Sequence, residues 1–310
     1  MTQDQPLVVA AVLNYNGWRD AVECVRSLLA NPYPNRRILV VDNGSTDDSV
    51  SELSRLVDGE QVLLAQTHRN LGSGGGTNFG IRRALEIGAD FVLTLSNDLV
   101  AAPNLISVLV DTMFANPTIG AMAPKVMYYD EPEIIWSAGG RMNYWLGRAS
   151  LAGNNARSDP RDTRVLDVDI LIGCAMFLRR SMLEQVGLLD ERYFYQNEEY
   201  EFFDRLRKRG WRVGVAMGTS ALHKIGRTVG TESYARWYYA TRNRLLFIGE
   251  NLSPPQRLVA LLAFWATRPA KFMEWLLKGK PSLIRATVDG AADYYRRRLG
   301  QGRLEAGQAR

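Results

Sequence analysis

Residues 7–16 read LVVAAVLNYN, seven apolar residues followed at once by an amide, an aromatic ring and a second amide. An apolar run without alternation suits a strand buried on both faces, the pattern of parallel strands in a helix-covered sheet. ILVVD at 38–42 and FVLTL at 91–95 repeat the character, and each also stops at polar residues, Asn43-Gly44-Ser45 and Ser96-Asn97-Asp98. Between the first two strands, Ala21, Val22, Val25, Leu28 and Leu29 fall at helical spacing, closed by Asn31-Pro32 and Pro34. A second helix is expected after Asp42, with N-cap oxygens from Ser45, Thr46 and Asp47. A third is expected from about Asn78 to Ile87. Strand and helix alternate, so the first hundred residues predict a doubly wound α/β sheet with ligands at the carboxyl ends of its strands.

Beyond residue 100, a helix is expected at 103–116, then turn-rich mixed sheet, a polar loop at 153–164, a strand at 165–172, a helix at 180–187 and an acidic helix from Asn197. Apolar residues return as helices after 250. We expect one unit over 1–250, of nucleotide-binding type in 1–100 and mixed structure in 101–250, with a helical extension at 251–310.

The chain has 310 residues, 46% of them hydrophobic and 23% charged, as in an ordinary globular protein. Its net charge of +5 is unevenly spread: residues 251–310 hold 11 basic and 4 acidic side chains, leaving residues 1–250 slightly acidic. A nucleic-acid protein more often carries cations on its binding domain, so no nucleic-acid partner is expected. Cys24 and Cys174, distant and set among apolar residues, read as reduced core thiols. The start of the chain has no basic leader before its apolar run, and no stretch approaches about 18 uninterrupted apolar residues. A cytoplasmic location without a spanning helix is the expectation.

The three polar strand ends share one edge of such a sheet. There a carboxylate can accept a pyrimidine imide proton, a ring can stack on the base, and a second carboxylate can hold a divalent metal. NLGSGGGTNFG at 70–80 reads as a glycine-rich loop entering a helix, with backbone N–H groups for phosphates or a base edge. It fits neither the dinucleotide fingerprint nor the P-loop, which weakens dehydrogenase and NTPase readings. Glu198, Glu199, Glu201 and Asp204 crowd behind the aromatic run Tyr193-Phe194-Tyr195, where a carboxylate with a raised pKa could act as a general base. His223, one of two histidines, follows a strand-like segment at 213–216 and could ligate a metal.

Taken in order, LNYN (13–16), VDNGSTDDS (41–49), NLGSGGGTNFGI (70–81), LSND (95–98), Trp136 to Gly140, IGCAMFLRR (172–180), FYQNEEYEFFDRLRKRGW (194–211) and RWYYATRNRLLF (236–247) resemble the family 2 inverting glycosyltransferases of glycosyltransferase-A fold. Within that family they look like the rhamnosyltransferase branch, which builds bacterial polysaccharide and cell-wall linkers. The resemblance implies a Rossmann-like mixed α/β sheet flanked by helices. It implies nucleotide-sugar contacts at Asn14, Tyr15, Asn16, Asp42, Asn43, Gly44, Asn70, Gly72, Gly76, Asn78 and Asn97, with Asp42 reading the base. It puts Mg²⁺ or Mn²⁺ on Asp98 with His223 nearby. The base falls on Glu199 or Glu198, where the family usually has Glu-Asp. The donor implied is dTDP-L-rhamnose or a UDP-sugar, and the acceptor a glycan or lipid-linked glycan.

In the tail, LVALLAFWA at 258–266, Phe272, Met273, Trp275, Leu276 and Leu277 alternate with Arg268, Lys271, Lys278 and Lys280. Ile284, Val288, Ala291, Ala292 and Tyr295 share a helical face ahead of Arg296-Arg297-Arg298. Basic amphipathic helices with tryptophans suit the inner face of a plasma membrane. The alternative is packing on the catalytic unit or on a second copy, as a homodimer. Two other functions compete: a sugar-1-phosphate nucleotidyltransferase, whose N-terminal basic glycine-rich loop is missing here, and a non-catalytic nucleotide-sugar-binding protein, against which the carboxylates argue.

Overall fold

The computed structural model describes residues 5–225 and 233–303. The extreme N-terminus, residues 226–232 and the last seven residues of the basic tail lie outside the described residues. In chain order the elements are β1 (Val8–Asn14), α1 (Trp18–Leu29), β2 (Arg36–Asp42), α2 (Ser49–Ser54), β3 (Val62–Gln66), α3 (Gly72–Glu86), β4 (Phe91–Ser96), β5 (Leu99–Ala101) and α4 (Leu105–Ala115). They continue with β6 (Ile119–Tyr128), β7 (Ile135–Ser137), β8 (Gly140–Asn143), β9 (Arg148–Leu151), β10 (Val165–Val168), β11 (Ala175–Arg179) and α5 (Arg180–Val186). The chain closes with α6 (Glu198–Lys208), β12 (Arg212–His223), α7 (Tyr234–Asn251), α8 (Pro254–Ala266), α9 (Arg268–Leu277) and α10 (Pro281–Tyr295).

The main sheet runs β10-β12-β6-β11-β4-β1-β2-β3, with β5 beside β12 and β7 beside β6. β4, β1, β2 and β3 are parallel, β11 is antiparallel to both its neighbours, and β6 and β12 are again parallel, so this is the expected mixed sheet. Its polar edge follows from register. Asn14 stands opposite Asp42, and Leu13 opposite Ser96, so the three motif-bearing strand ends finish level. β12 pairs His223 with Leu99 of β5, which carries the histidine to the same edge.

β1 separates two apolar layers. Val9 and Ala11 face one cluster with Ile81 of α3 and Phe203 of α6, while Val8, Ala10 and Val12 face another with Cys24 and Leu28 of α1. A side chain of this kind contributes roughly 1.5–3 kcal/mol when fully buried. Both cysteines are buried free thiols, and burial pushes each thiol pKa up, as suits inert core positions.

The structure departs from the sequence reading in several places. α3 begins at Gly72, not near Asn78, so most of the glycine-rich stretch is helix. Packing, not helix propensity, selects these glycines: Gly72 has φ +77°, and a Cβ there would lie 2.1 Å from the Phe194 carbonyl oxygen. α2 has Asp48 at its N-cap with no cap bond from that side chain; of the expected oxygens, Asp47 accepts the Ser49 N–H at 3.0 Å, whereas Ser45 accepts the Asn16 N–H at 2.9 Å. β10 stops at Val168, where the 165–172 strand was expected to continue. In α10 the buried residues are Leu283, Ala286, Thr287, Gly290, Ala291 and Asp293, whereas Val288 and Tyr295 are exposed. That helix rests on α7 through small and polar groups: a Cβ at Gly290 would meet the Tyr238 carbonyl oxygen at 2.4 Å, and the Tyr238 hydroxyl donates to Asp293 at 2.7 Å.

Candidate active site

A cleft of about 810 Å³ opens along the polar edge of the sheet. Tyr15, Asn16, Asn43, Asn70, Gly72, Gly76, Asn97 and Asp98 line it from the parallel half. Trp136, Glu198, Glu199 and His223 line it from the other half. The expected metal and base residues therefore share one cavity with most of the expected nucleotide contacts.

Asn14, Asp42, Gly44 and Asn78 do not reach the wall. Asp42 is 1% exposed; one carboxylate oxygen accepts the Ser45 N–H at 2.9 Å and the other the Asn14 side chain at 3.1 Å. Asn14 in turn accepts from the Asn97 amide at 2.9 Å, so the buried chain Asp42–Asn14–Asn97 fixes the three strand ends to one another. Gly44, at φ +76°, leaves room for the Arg69 backbone. Asn78 is spent tying α3 to the segment before α6: it donates to the Leu189 carbonyl at 2.9 Å and accepts the Leu189 N–H at 3.0 Å. Asn43, though at the wall, donates to the Gly72 carbonyl at 3.0 Å and accepts the Leu71 N–H at 3.1 Å, holding the start of α3. Asn16 is different: it is left-handed at φ 52°, and its buried amide nitrogen has no acceptor among the described residues.

Asp98 and His223 lie together, with 3.3 Å between a carboxylate oxygen and Nε2. The edge of the Trp136 ring packs on the imidazole at 4.6 Å between centroids. Asp98 Oδ1 and His223 Nδ1 are buried and have no partner among the described residues. Buried polar atoms are seldom left unpaired, so an orphan on each member of this touching pair marks a place for a ligand. Among the described residues no three His, Cys, Asp or Glu side chains converge so as to hold a metal ion by themselves. One carboxylate and one imidazole nonetheless fit a hard divalent cation whose remaining ligands are phosphate and water oxygens.

Across the cleft, Glu198 and Glu199 open α6. The Ser73 hydroxyl donates to Glu198 Oε1 by a short hydrogen bond, while Oε2 is buried without a partner. Burial raises the Glu198 pKa; burial, and then the Glu198 charge, push Glu199 up to about 8. Neighbouring carboxylates removed from water behave this way because each disfavours the other's ionised form.

The backbone that presents them is strained. Phe194, Gln196 and Asn197 all have positive φ, between 63° and 65°, a region costly for residues with a Cβ. Two buried side chains of α7 hold it. Asn243 donates to the carbonyls of Tyr193, Tyr195 and Gln196 at 2.7 to 2.8 Å, and Arg242 donates to Tyr193 at 2.8 Å and to Gly300 at 2.6 Å. Sequence reasoning did not single out this pair. Its signal was present: an Arg-Asn dipeptide between Tyr238-Tyr239 and Leu245-Leu246-Phe247 has no reason to be there unless its polar groups are used.

Residues 10–187 match the family model described as glycosyl transferase family 2. The chain belongs to that family. It is thus a glycosyltransferase, with the glycosyltransferase-A architecture of its structural relatives. Among curated family relatives, the N-acetylglucosaminyl-diphospho-decaprenol L-rhamnosyltransferase of Mycobacterium tuberculosis is 26% identical over 266 residues, covering 79% of this chain and 81% of that one. Two solved structures share the family fold. Residues 1–349 of S. aureus TarS with UDP-GlcNAc superpose with TM-score 0.60 at 15% identity, covering 94% of this chain and 81% of that one. A Pyrobaculum calidifontis mannosyltransferase with GDP-Man and Mn²⁺ gives 0.58 at 15%, covering 94% and 87%.

Proposed function

We propose that this glycosyltransferase moves a sugar, L-rhamnose by the relative it resembles, from a nucleotide-diphosphate donor to a hydroxyl of a glycan or lipid-linked glycan in bacterial polysaccharide or cell-wall synthesis. The reaction inverts the anomeric centre. The observation that carries this reading is the single cleft with a carboxylate pair on one side and the Asp98–His223 pair on the other.

Tyr15, Asn16, Asn43, Asn70, Gly72, Gly76 and Asn97 form the donor side. The unsatisfied Asn16 amide suits a carbonyl of the base. Asp42, Asn14, Gly44 and Asn78 serve from behind the wall, by fixing the strand ends and α3. Glu199 takes the proton of the acceptor hydroxyl, the oxygen bonds to the anomeric carbon, and the carbon–oxygen bond to the diphosphate breaks with its electron pair leaving on the nucleoside diphosphate. Glu198 keeps the Glu199 carboxylate basic by its charge and is itself held by Ser73. Asp98 and His223 would hold Mg²⁺ or Mn²⁺, which when bound supplies positive charge toward the departing diphosphate.

The exposed side chains Leu258, Leu262, Trp265, Met273, Leu276 and Leu277 on α8 and α9 support peripheral contact with the inner face of a plasma membrane. No described helix is long and apolar enough to cross a membrane. The test of the central reading is Glu199→Gln assayed against dTDP-L-rhamnose and UDP-sugars. Turnover should fall at least a hundredfold with donor affinity kept; near-normal turnover in both Glu199→Gln and Glu198→Gln refutes the base. Undiminished activity in EDTA or in Asp98→Ala refutes the metal site.

A further inference from the structure

A second cavity, of about 280 Å³, lies between the β8–β9 hairpin, α7 and the junction of α8 with α9. It shares no lining residue with the donor cleft. Trp237 and Arg244 reach it from the side of α7 opposite Ala235 and Tyr239, which line the donor cleft, as a period of 3.6 residues requires. Its other charged walls are Arg148, Arg268 and Lys271.

The charge there is compensated at one cation of the four. Lys271 pairs with Glu274 at 2.9 Å. Arg148, Arg244 and Arg268 have no carboxylate partner among the described residues, and Arg244 and Arg268 both stack on the Phe264 ring, at 5.2 and 4.6 Å. Arg244 donates to the Leu146 carbonyl at 2.8 Å, yet its Nε is buried with no acceptor, and so is the Trp237 indole N–H. Burial, then the charges of Arg268 and Arg148, lower the Arg244 pKa to about 10. Collecting like charges and orphaned donors in a part-buried pocket is costly unless an anion completes it.

We propose that this pocket binds a phosphoryl group, as a phosphomonoester or a diphosphate. Three arginines and a lysine exceed what a carboxylate can satisfy, and guanidinium forks match the several oxygens of a phosphate. The volume fits a small anionic group and excludes a glycan chain. Exposed leucines lie on α8 and α9, the helices whose junction forms one wall of the pocket, so a lipid-borne phosphate and a free one both suit it; the two sources share the same chemistry and separate by experiment.

The test uses the full chain in EDTA. Pyrophosphate is titrated calorimetrically into the wild type, into Arg148→Ala and Arg268→Gln, and into Arg37→Gln as a charge control on an exposed residue outside the pocket. Arg148 is exposed and makes no ion pair among the described residues, so its loss leaves the fold intact. Affinity should fall about tenfold in each pocket variant and hold in the control. Equal affinity in all four proteins overturns the site. Flotation with phosphatidylcholine vesicles, with and without phosphatidylglycerol, then tells the source: retention that falls in the same variants makes the phosphate lipid-borne, and unchanged retention with lost pyrophosphate binding makes it soluble.

Discussion

Asn243→Ala removes one amide from the middle of α7, far along the chain from the carboxylates it serves. The Asn243 side chain is fully buried, and its nitrogen lies 2.7 to 2.8 Å from three carbonyls of the segment that precedes Glu198. Two N–H bonds satisfy two of these at any instant. Their loss leaves buried acceptors unpaired at about 1–3 kcal/mol each. The same segment holds three left-handed residues, Phe194, Gln196 and Asn197, at about 1–2 kcal/mol each. The clamp and the strain are of similar size, so without the clamp the segment relaxes and carries Glu198 and Glu199 with it. A displacement near 1 Å lowers the rate about a hundredfold. The net stability loss, partly offset by released strain, should be ~1–2 kcal/mol, a fall in Tm of about 2–3 °C for a chain of this size. Steady-state kinetics with a thermal melt checks this: kcat should drop about a hundredfold while donor KM moves little. If kcat stays within about threefold of wild type while Tm falls as stated, the positioning argument is wrong.

Other outcomes follow from the same geometry. Since Glu199 must be ionised to accept a proton and its pKa is pushed up to about 8, kcat/KM should rise with pH through that region, and Glu198→Gln should move the rise to lower pH by removing the neighbouring charge. A raised folded-state pKa means stability fully present below the ordinary carboxylate pKa and lost as pH climbs through the raised one; Glu199→Gln should therefore melt higher than wild type at alkaline pH and equal it in acid. Gly72→Ala should be badly destabilised or inactive, because its Cβ meets the Phe194 carbonyl at 2.1 Å from a left-handed backbone; a melt and rate like wild type would contradict the packing. Replacing exposed Leu276 and Leu277 by Glu should abolish flotation with anionic vesicles without lowering Tm, and unchanged flotation would remove α9 from the membrane surface.

The sheet was legible because its strands are buried on both faces: LVVAAVL, ILVVD and FVLTL leave little but a parallel sheet. What was legible of the candidate site is position, at Asn16, Asp98, Glu198, Glu199 and His223, which all line the one cleft. It was not legible that Asp42 and Asn14 stop behind the wall, since a strand-end amide or carboxylate looks the same in sequence whether it meets a ligand or another strand end, nor that Asn78, inside α3, is spent on the Leu189 backbone. The start of α3 was hidden because glycine opposes a helix locally and is accepted there only for the close approach of residue 194. The contact face of α10 was hidden for a related reason: it packs through Gly290, Thr287 and Asp293, and apolar periodicity marks large side chains only.

The clamp on the Glu198 segment has a further consequence. Gly300 donates its N–H to the Arg192 carbonyl at 2.7 Å and accepts from Arg242, and Arg303 reaches back to Asp293, which in turn receives the Tyr238 hydroxyl. The segment that presents Glu198 and Glu199 is thus secured by residues made about a hundred positions later in synthesis. A nascent chain can build the parallel strands of its sheet on the ribosome, but this segment is held only once residues 300–303 have left the exit tunnel. A fusion or a cut placed near residue 300 would be felt at the base before it was felt anywhere else.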